Sequence, residues 1–347
     1  LVHSGVFALP VHLPLECEEL LMAPEVVYET YGELRGDNAI LLLHGLSRSH
    51  RALTGLPTSE DLPYSPEAWF TSVMGDEQPI STQNYFVVSA GLLGSPWGST
   101  SALAINPQYG ESYGGLFPQL TVTDQARAVA ALCRGLGVQR LVGVIGVSLG
   151  GMVALRMASL FPELVGAVAV LGSSGALPDS QRKRFASVRQ TLEGDPGYRG
   201  GFYEPHEEQE AKELVRRIRL EQLRALYGQD DLARRLGDLF TVERALEAEA
   251  TEFAERFDAR CFASLCECFG KADLYEHLPK VGAKTLLVAS ASDLLAPPER
   301  VRDAYKRMTQ AGVPTLYHEI QSDAGHRTFY LESERLGGLL RDFLGAK

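Results

Sequence analysis

Val142-Gly-Val-Ile-Gly-Val-Ser-Leu-Gly-Gly-Met152 reads as a buried strand, a sharp turn carrying Ser148, and the start of a helix. Gly146-Val147-Ser148-Leu149-Gly150 fits Gly-x-Ser-x-Gly, the turn that lifts one hydroxyl out of a packed sheet. The glycines matter because a strand that turns directly into a helix brings backbone against backbone. A chain with 34 glycines can produce such a pattern by accident, so its context decides. Here the motif lies between an apolar strand and a helix, and Gly151 lets that helix pack close to the sheet. A serine hydroxyl is a weak nucleophile. The reading therefore requires a base, a group to orient it, and donors for an oxyanion.

Outward from this stretch the pattern is one of strands alternating with helices. Pro24–Tyr31, Asn38–His44 and Tyr85–Ser89 read as strands. Asp124 is expected to cap a helix over Gln125–Leu136. Leu141–Val147, Leu149–Leu160 and Leu164–Leu171 follow as strand, helix and strand. The pattern returns later with Lys284–Ala289, Pro298–Gln310, Pro314–Ile320 and Thr328–Leu344. This alternation predicts an α/β fold with a mostly parallel sheet flanked by helices. Residues 1–23 carry weak signals, and 91–123 form a long irregular stretch of the kind that is often functional. Residues 176–282 have charged, helix-favouring runs and no convincing strand. The expected organisation is a core of residues 1–175 and 283–347 with an all-helical lid, 176–282, inserted between them.

Composition narrows the function classes. The 347 residues are 45% hydrophobic, and the formal charge of −11 disfavours nucleic acid or an anionic membrane as partner. No apolar run reaches transmembrane length, and the N-terminus lacks the order of a secretion signal. Cys261, Cys266 and Cys268 do not have zinc-site spacing; they read as reduced thiols on a mostly buried helix, with no metal site. A cytoplasmic location is expected.

In the chain order Ser, Asp/Glu, His, the acid is Asp293, just past the strand Lys284–Ala289. Asp323 is the rival, but three residues before His326 it reads as a turn residue. The base is His326, between the last strand and the last helix. His318 lies within the preceding strand and reads as structural, and His44 as a residue holding a loop. Ser148 would attack an acyl carbonyl, His326 would carry the proton, and Asp293 would orient the imidazole. The oxyanion donors are the N–H groups of Leu149, after the nucleophile, and Leu46, in the loop after the early strand. Arg48, His50 and Arg51 follow that loop and read as a solvated segment rather than a phosphate site.

With these residues placed, the chain resembles the homoserine O-acetyltransferase family, whose members have the α/β-hydrolase fold. The likeness covers most of the chain. It shows in Val27-Tyr-Glu-Thr-Tyr-Gly-Glu33, Ile80-Ser-Thr-Gln-Asn-Tyr-Phe-Val-Val88, Gly98-Ser-Thr100, Ile105-Asn-Pro107, Tyr113-Gly114 and Phe117-Pro118. It continues in Gly146–Met152, Glu255-Arg-Phe-Asp258 and Ser292-Asp-Leu-Leu295. The resemblance implies ping-pong transfer of an acetyl group from acetyl-CoA, a co-substrate rather than a bound cofactor, through the serine to a small hydroxyl acceptor. It also implies a tunnel between core and lid and a homodimer built through the lid helices.

The departures from the family bear on substrate. Gly-His-Asp, whose aspartate helps hold the amino group of homoserine, here reads Gly325-His326-Arg327, and a cation there repels an ammonium. The family's Tyr-Arg pair reads Tyr227-Gly228, and Leu220 falls near the place of an earlier arginine, so Arg219 or Arg224 is the expected substitute. Substrate contacts are thus expected from Arg327, Tyr227, Arg219 and Arg224. The competing readings are an ester hydrolase using the same three residues with water, and a non-catalytic binding protein, which the coherent Ser148, Asp293 and His326 set argues against.

Overall fold

The computed structural model describes residues 2–54, 68–204, 207–226, 234, 237 and 239–345. Eight strands form one sheet: β1 Val2–Ala8, β2 Glu25–Tyr31, β3 Ala39–Leu43, β4 Phe86–Ala90, β5 Leu141–Val147, β6 Ala167–Leu171, β7 Lys284–Ser290 and β8 Thr315–Ile320. Their spatial order is β1-β2-β4-β3-β5-β6-β7-β8. β2 runs antiparallel to both β1 and β4, and the pairs from β4 to β8 are parallel. Among the described residues, helices outside 176–282 include α1 Val122–Gly135, α2 Leu149–Leu160, α8 Pro298–Gln310 and α10 Ser333–Leu344.

The continuous apolar strands are explained by burial on both faces. Along β3 every residue is buried, but successive side chains enter different layers. Ala39, Leu41 and Leu43 pack with residues of α1, α2 and α8. Ile40 and Leu42 pack with Leu336, Leu340 and Phe343 of α10.

The structure changes several expectations. β1 was not legible in residues 1–23, because as an edge strand it leaves most of its side chains exposed and shows no apolar alternation. The cap of α1 is Thr121, not Asp124. Asp124 is the third helical residue, and its carboxylate accepts from the Thr121 N–H, closing a capping box. The last helical run breaks at Glu332, which separates α9 Thr328–Leu331 from α10.

Residues 176–282 hold helices α3 Asp179–Ala186, α4 Val188–Glu193, α5 Glu208–Leu226, α6 Leu239–Arg256 and α7 Ala259–Lys271. On α7 the thiols of Cys261, Cys266 and Cys268 are buried and unbridged. α5 and α6 meet through a small cluster of their own: Leu220, Leu223, Val242, Leu246 and Ala250. The irregular stretch before α1 reaches this segment, where Trp97 meets the Phe257 ring edge-on at 5.7 Å.

Candidate active site

Ser148 sits between the end of β5 and the start of α2 with φ 56° and ψ −118°, a strained conformation for a residue with a side chain. The surroundings hold it there. Its N–H donates to the Leu171 carbonyl at 2.9 Å. A Cβ on Gly146 would lie 2.2 Å from the Gly150 carbonyl oxygen, and one on Gly150 would lie 2.3 Å from that of Leu43. No other residue fits at either place, which gives the Gly-x-Ser-x-Gly pattern its physical reason.

Asp293 follows β7, and its side chain is fully buried. Its Oδ1 accepts from the N–H groups of Leu295 at 2.8 Å and Ala296 at 3.0 Å. Its Oδ2 lies 2.7 Å from Nδ1 of His326, which follows β8. Two backbone donors hold the carboxylate in place, and its contact with Nδ1 fixes the ring, leaving Nε2 as the nitrogen available to a hydroxyl. Asp323 is exposed on the surface and paired with Arg234 at 2.6 Å, away from this arrangement. His318 is exposed on the edge strand β8.

Hydroxyl side chains hold the histidine loop. Ser292 Oγ accepts from the Gly325 N–H at 2.9 Å and donates to the Ser322 carbonyl at 2.7 Å. Thr328 Oγ1 donates to the Gly325 carbonyl at 2.8 Å. Small hydroxyl residues in a loop give no sequence signal for such a role. Gly325 itself has φ 61°, which a side chain would strain.

Leu149 opens α2, so its N–H has no acceptor within the helix. Leu46 lies just beyond β3 and lines, with Ser148 and His326, a cavity of about 150 Å³. His44, at the end of β3, is fully buried and bonded to the Gly45 carbonyl at 2.8 Å; burial pushes its imidazole down to about 4. The neighbouring segment is not the solvated loop expected from sequence. His50 is buried and also pushed down to about 4, and the Arg48 guanidinium stacks 4.9 Å from the Tyr330 ring at the cavity wall.

The far wall comes from the helical segment. Arg219 of α5 is only 6% exposed and lines the cavity. Its guanidinium stacks on the Phe253 ring at 4.5 Å and reaches Gln222 Oε1 at 3.4 Å, while its Nε is buried with no hydrogen-bond partner. Arg327 lines the same cavity. Arg224 does not: five residues beyond Arg219 it is turned by roughly 140° on the helix, where it pairs with Glu221 and Glu243. The expectation for Arg224 is therefore corrected. Tyr227 lies outside the described residues. Glu249 of α6, also on the wall, was missed because a glutamate on a charged amphipathic helix reads as a solvated residue.

Residues 38–333 match the family model for the alpha/beta hydrolase fold. The chain belongs to that family. It is 34% identical to a serine O-succinyltransferase of Litchfieldella anticariensis, covering 92% of each chain. It is 32% identical to a homoserine O-acetyltransferase of Geotalea daltonii, covering 99% of this chain and 98% of the other. Among solved structures, a homoserine O-acetyltransferase from Bacillus anthracis superposes with a TM-score of 0.88 at 23% identity, over 100% of this chain and 98% of that one. Solved esterases share the same architecture. Within the α/β-hydrolase family the chain thus falls with the homoserine and serine O-acyltransferases, and it is an acyl-transfer enzyme. Among the described residues, no helix is long and apolar enough to cross a membrane.

Proposed function

We propose that the protein transfers a short acyl group from an acyl-CoA thioester, acetyl-CoA or succinyl-CoA, through Ser148 to the side-chain hydroxyl of a small amino acid. The observation that carries this reading is the 2.7 Å contact of His326 with buried Asp293, on a cavity that also contains strained Ser148. Ser148 Oγ attacks the thioester carbonyl while His326 Nε2 takes its proton. The Leu46 and Leu149 N–H groups stabilise the oxyanion. Coenzyme A leaves as the thiol, taking the proton from His326. The acceptor hydroxyl then gives its proton to His326 and attacks the acyl-serine, and the proton returns to Ser148. Asp293 holds the imidazole and stabilises its charged form. Arg219 presents a cation to the acceptor's carboxylate, and Arg327 one that repels its ammonium.

The relatives named as acting on serine and homoserine support an amino-acid acceptor; the esterase neighbours share only the fold. Residues 176–282 serve as the lid over a core of 1–175 and 283–347, and limit water access to the acyl-serine. Phe202 and Phe240 in this segment are 57% and 72% exposed, which supports a homodimer through the lid helices. Five free cysteines fit a reducing, cytoplasmic location.

Incubation with acetyl-CoA or succinyl-CoA tests the reading. Intact mass should gain one acyl group at Ser148, and coenzyme A release should then depend on serine or homoserine. Fast release with water alone would make the protein an ester or thioester hydrolase. Light scattering on the same preparation gives the oligomeric state.

A further inference from the structure

The cavity wall carries an imbalance of charge. Three guanidinium groups line it, Arg48, Arg219 and Arg327, and among the described residues Glu249 is the one lining carboxylate. An amino acid brings both an anion and a cation into this space. Its carboxylate has a choice of partners, but its ammonium would be repelled by each arginine. Among the described residues that line the cavity, Glu249 is the one that offers it an opposite charge.

We propose that Glu249 is the specificity residue that receives the acceptor's α-ammonium, with Arg219 beside it receiving the α-carboxylate. The assignment rests on the amino-acid acceptor proposed above. Arg219 Nη2 and Glu249 Oε1 are 4.0 Å apart, a charge pair too long for a direct hydrogen bond. The two groups thus present adjacent opposite charges to the cavity, the kinds of partner that the two ends of a zwitterion need. Arg219 is held from behind by Phe253 and Gln222, and its buried Nε has no partner. A buried donor left without an acceptor is costly, and a bound carboxylate removes that cost. Glu252, one turn further along α6, does not compete for the role. It is buried against Arg256, with an Nη1 to Oε1 distance of 3.6 Å, and is not part of the cavity wall.

A merely structural Glu249, balancing Arg219, would affect every acceptor alike. The test therefore compares acceptors with and without the amino group: serine against 3-hydroxypropionate, and homoserine against 4-hydroxybutyrate. The wild-type enzyme should favour the amino acid of the better pair by at least about 100-fold in kcat/KM. Glu249→Gln should shrink that preference by about 30-fold, chiefly through a higher KM for the amino acid, the size of effect expected for a lost charged hydrogen bond. Glu249→Asp should retain part of the preference. Acyl loading of Ser148, read by intact mass, reports that each variant is folded. An unchanged preference in Glu249→Gln overturns the assignment. So does a wild-type enzyme that uses the deaminated acceptors equally well, a result that needs no variant at all. Failure of the wild-type enzyme to load Ser148 would be a different result: it removes the acyl-transfer reading itself, and this assignment with it.

Discussion

The two walls of the cavity are built in different ways. The sheet wall is held by backbone. Ser148 is set by a strained turn that only glycines at 146 and 150 permit, and Asp293 is set by two N–H donors and the His326 ring. The helical wall is held by side chains. Arg219 is positioned by the face of Phe253 and by Gln222, on helices that meet through a small apolar cluster of their own. Backbone positioning fixes chemistry within a fraction of an ångström, as covalent catalysis requires. Side-chain positioning on paired helices can be revised by single substitutions without disturbing the sheet. In the proposed reading the chemistry thus resides in one wall and most of the choice of substrate in the other.

The largest effect expected is on the sheet wall. Ser148→Ala should lower turnover by at least about 10⁴-fold, and Asp293→Asn by a comparable factor, with unchanged far-ultraviolet circular dichroism. Activity within about tenfold of wild type for Ser148→Ala would break the division at its root.

Acid should separate the two walls next. His44 and His50 stay neutral in the folded protein, held down to about 4 by burial, whereas their unfolded values lie near 6.5. Below about pH 6.5 the unfolded chain binds the extra protons, so stability falls with falling pH. Each histidine contributes up to roughly 1.4 kcal/mol per pH unit until the folded value is reached. Glu252 in the helical segment has the opposite sign. Burial pushes its carboxyl up, so the folded state takes up its proton first and gains stability as pH drops through that range. Urea midpoints at pH 7 and pH 5 should fall, and His44→Gln should flatten the slope. A pH-independent midpoint would show that these histidines are not what makes the sheet wall acid-sensitive.

The smallest effect expected lies on the cavity wall beside the base. Arg327→Asp should raise kcat/KM for homoserine about fivefold, the scale of one partly exposed charge, without altering Ser148 loading. No change would show that Arg327 does not repel the acceptor's ammonium. A loss of loading would show that substrate choice and chemistry are less separable than the two walls suggest.

Much of the sheet wall was legible in the chain because its constraints are local. β5 and α2 fall at Leu141–Val147 and Leu149–Leu160, as read, since a strained turn demands glycine on both sides of one serine. Asp293 and His326 were found because parallel strands place their active loops at one end, so position after a strand substitutes for distance. The helical wall offered no such rule. Arg219 and Arg224 were equivalent in sequence, and helix phase against α6 separated them. Glu249 was one acidic residue among many until α6 was laid across the cavity. β1 was invisible because an edge strand needs little apolar surface, and the Thr121 cap was displaced by three residues because both Thr and Asp take part in it.

By itself the sequence determined the parallel strands, the nucleophile turn and the chain order of Ser148, Asp293 and His326, since each follows from backbone sterics or from position after a strand. Tertiary structure alone decided which charges line the cavity. That depends on the rotation of α5 and α6 about their axes and on 4.0 Å between residues thirty positions apart, quantities that packing sets and that no local pattern encodes.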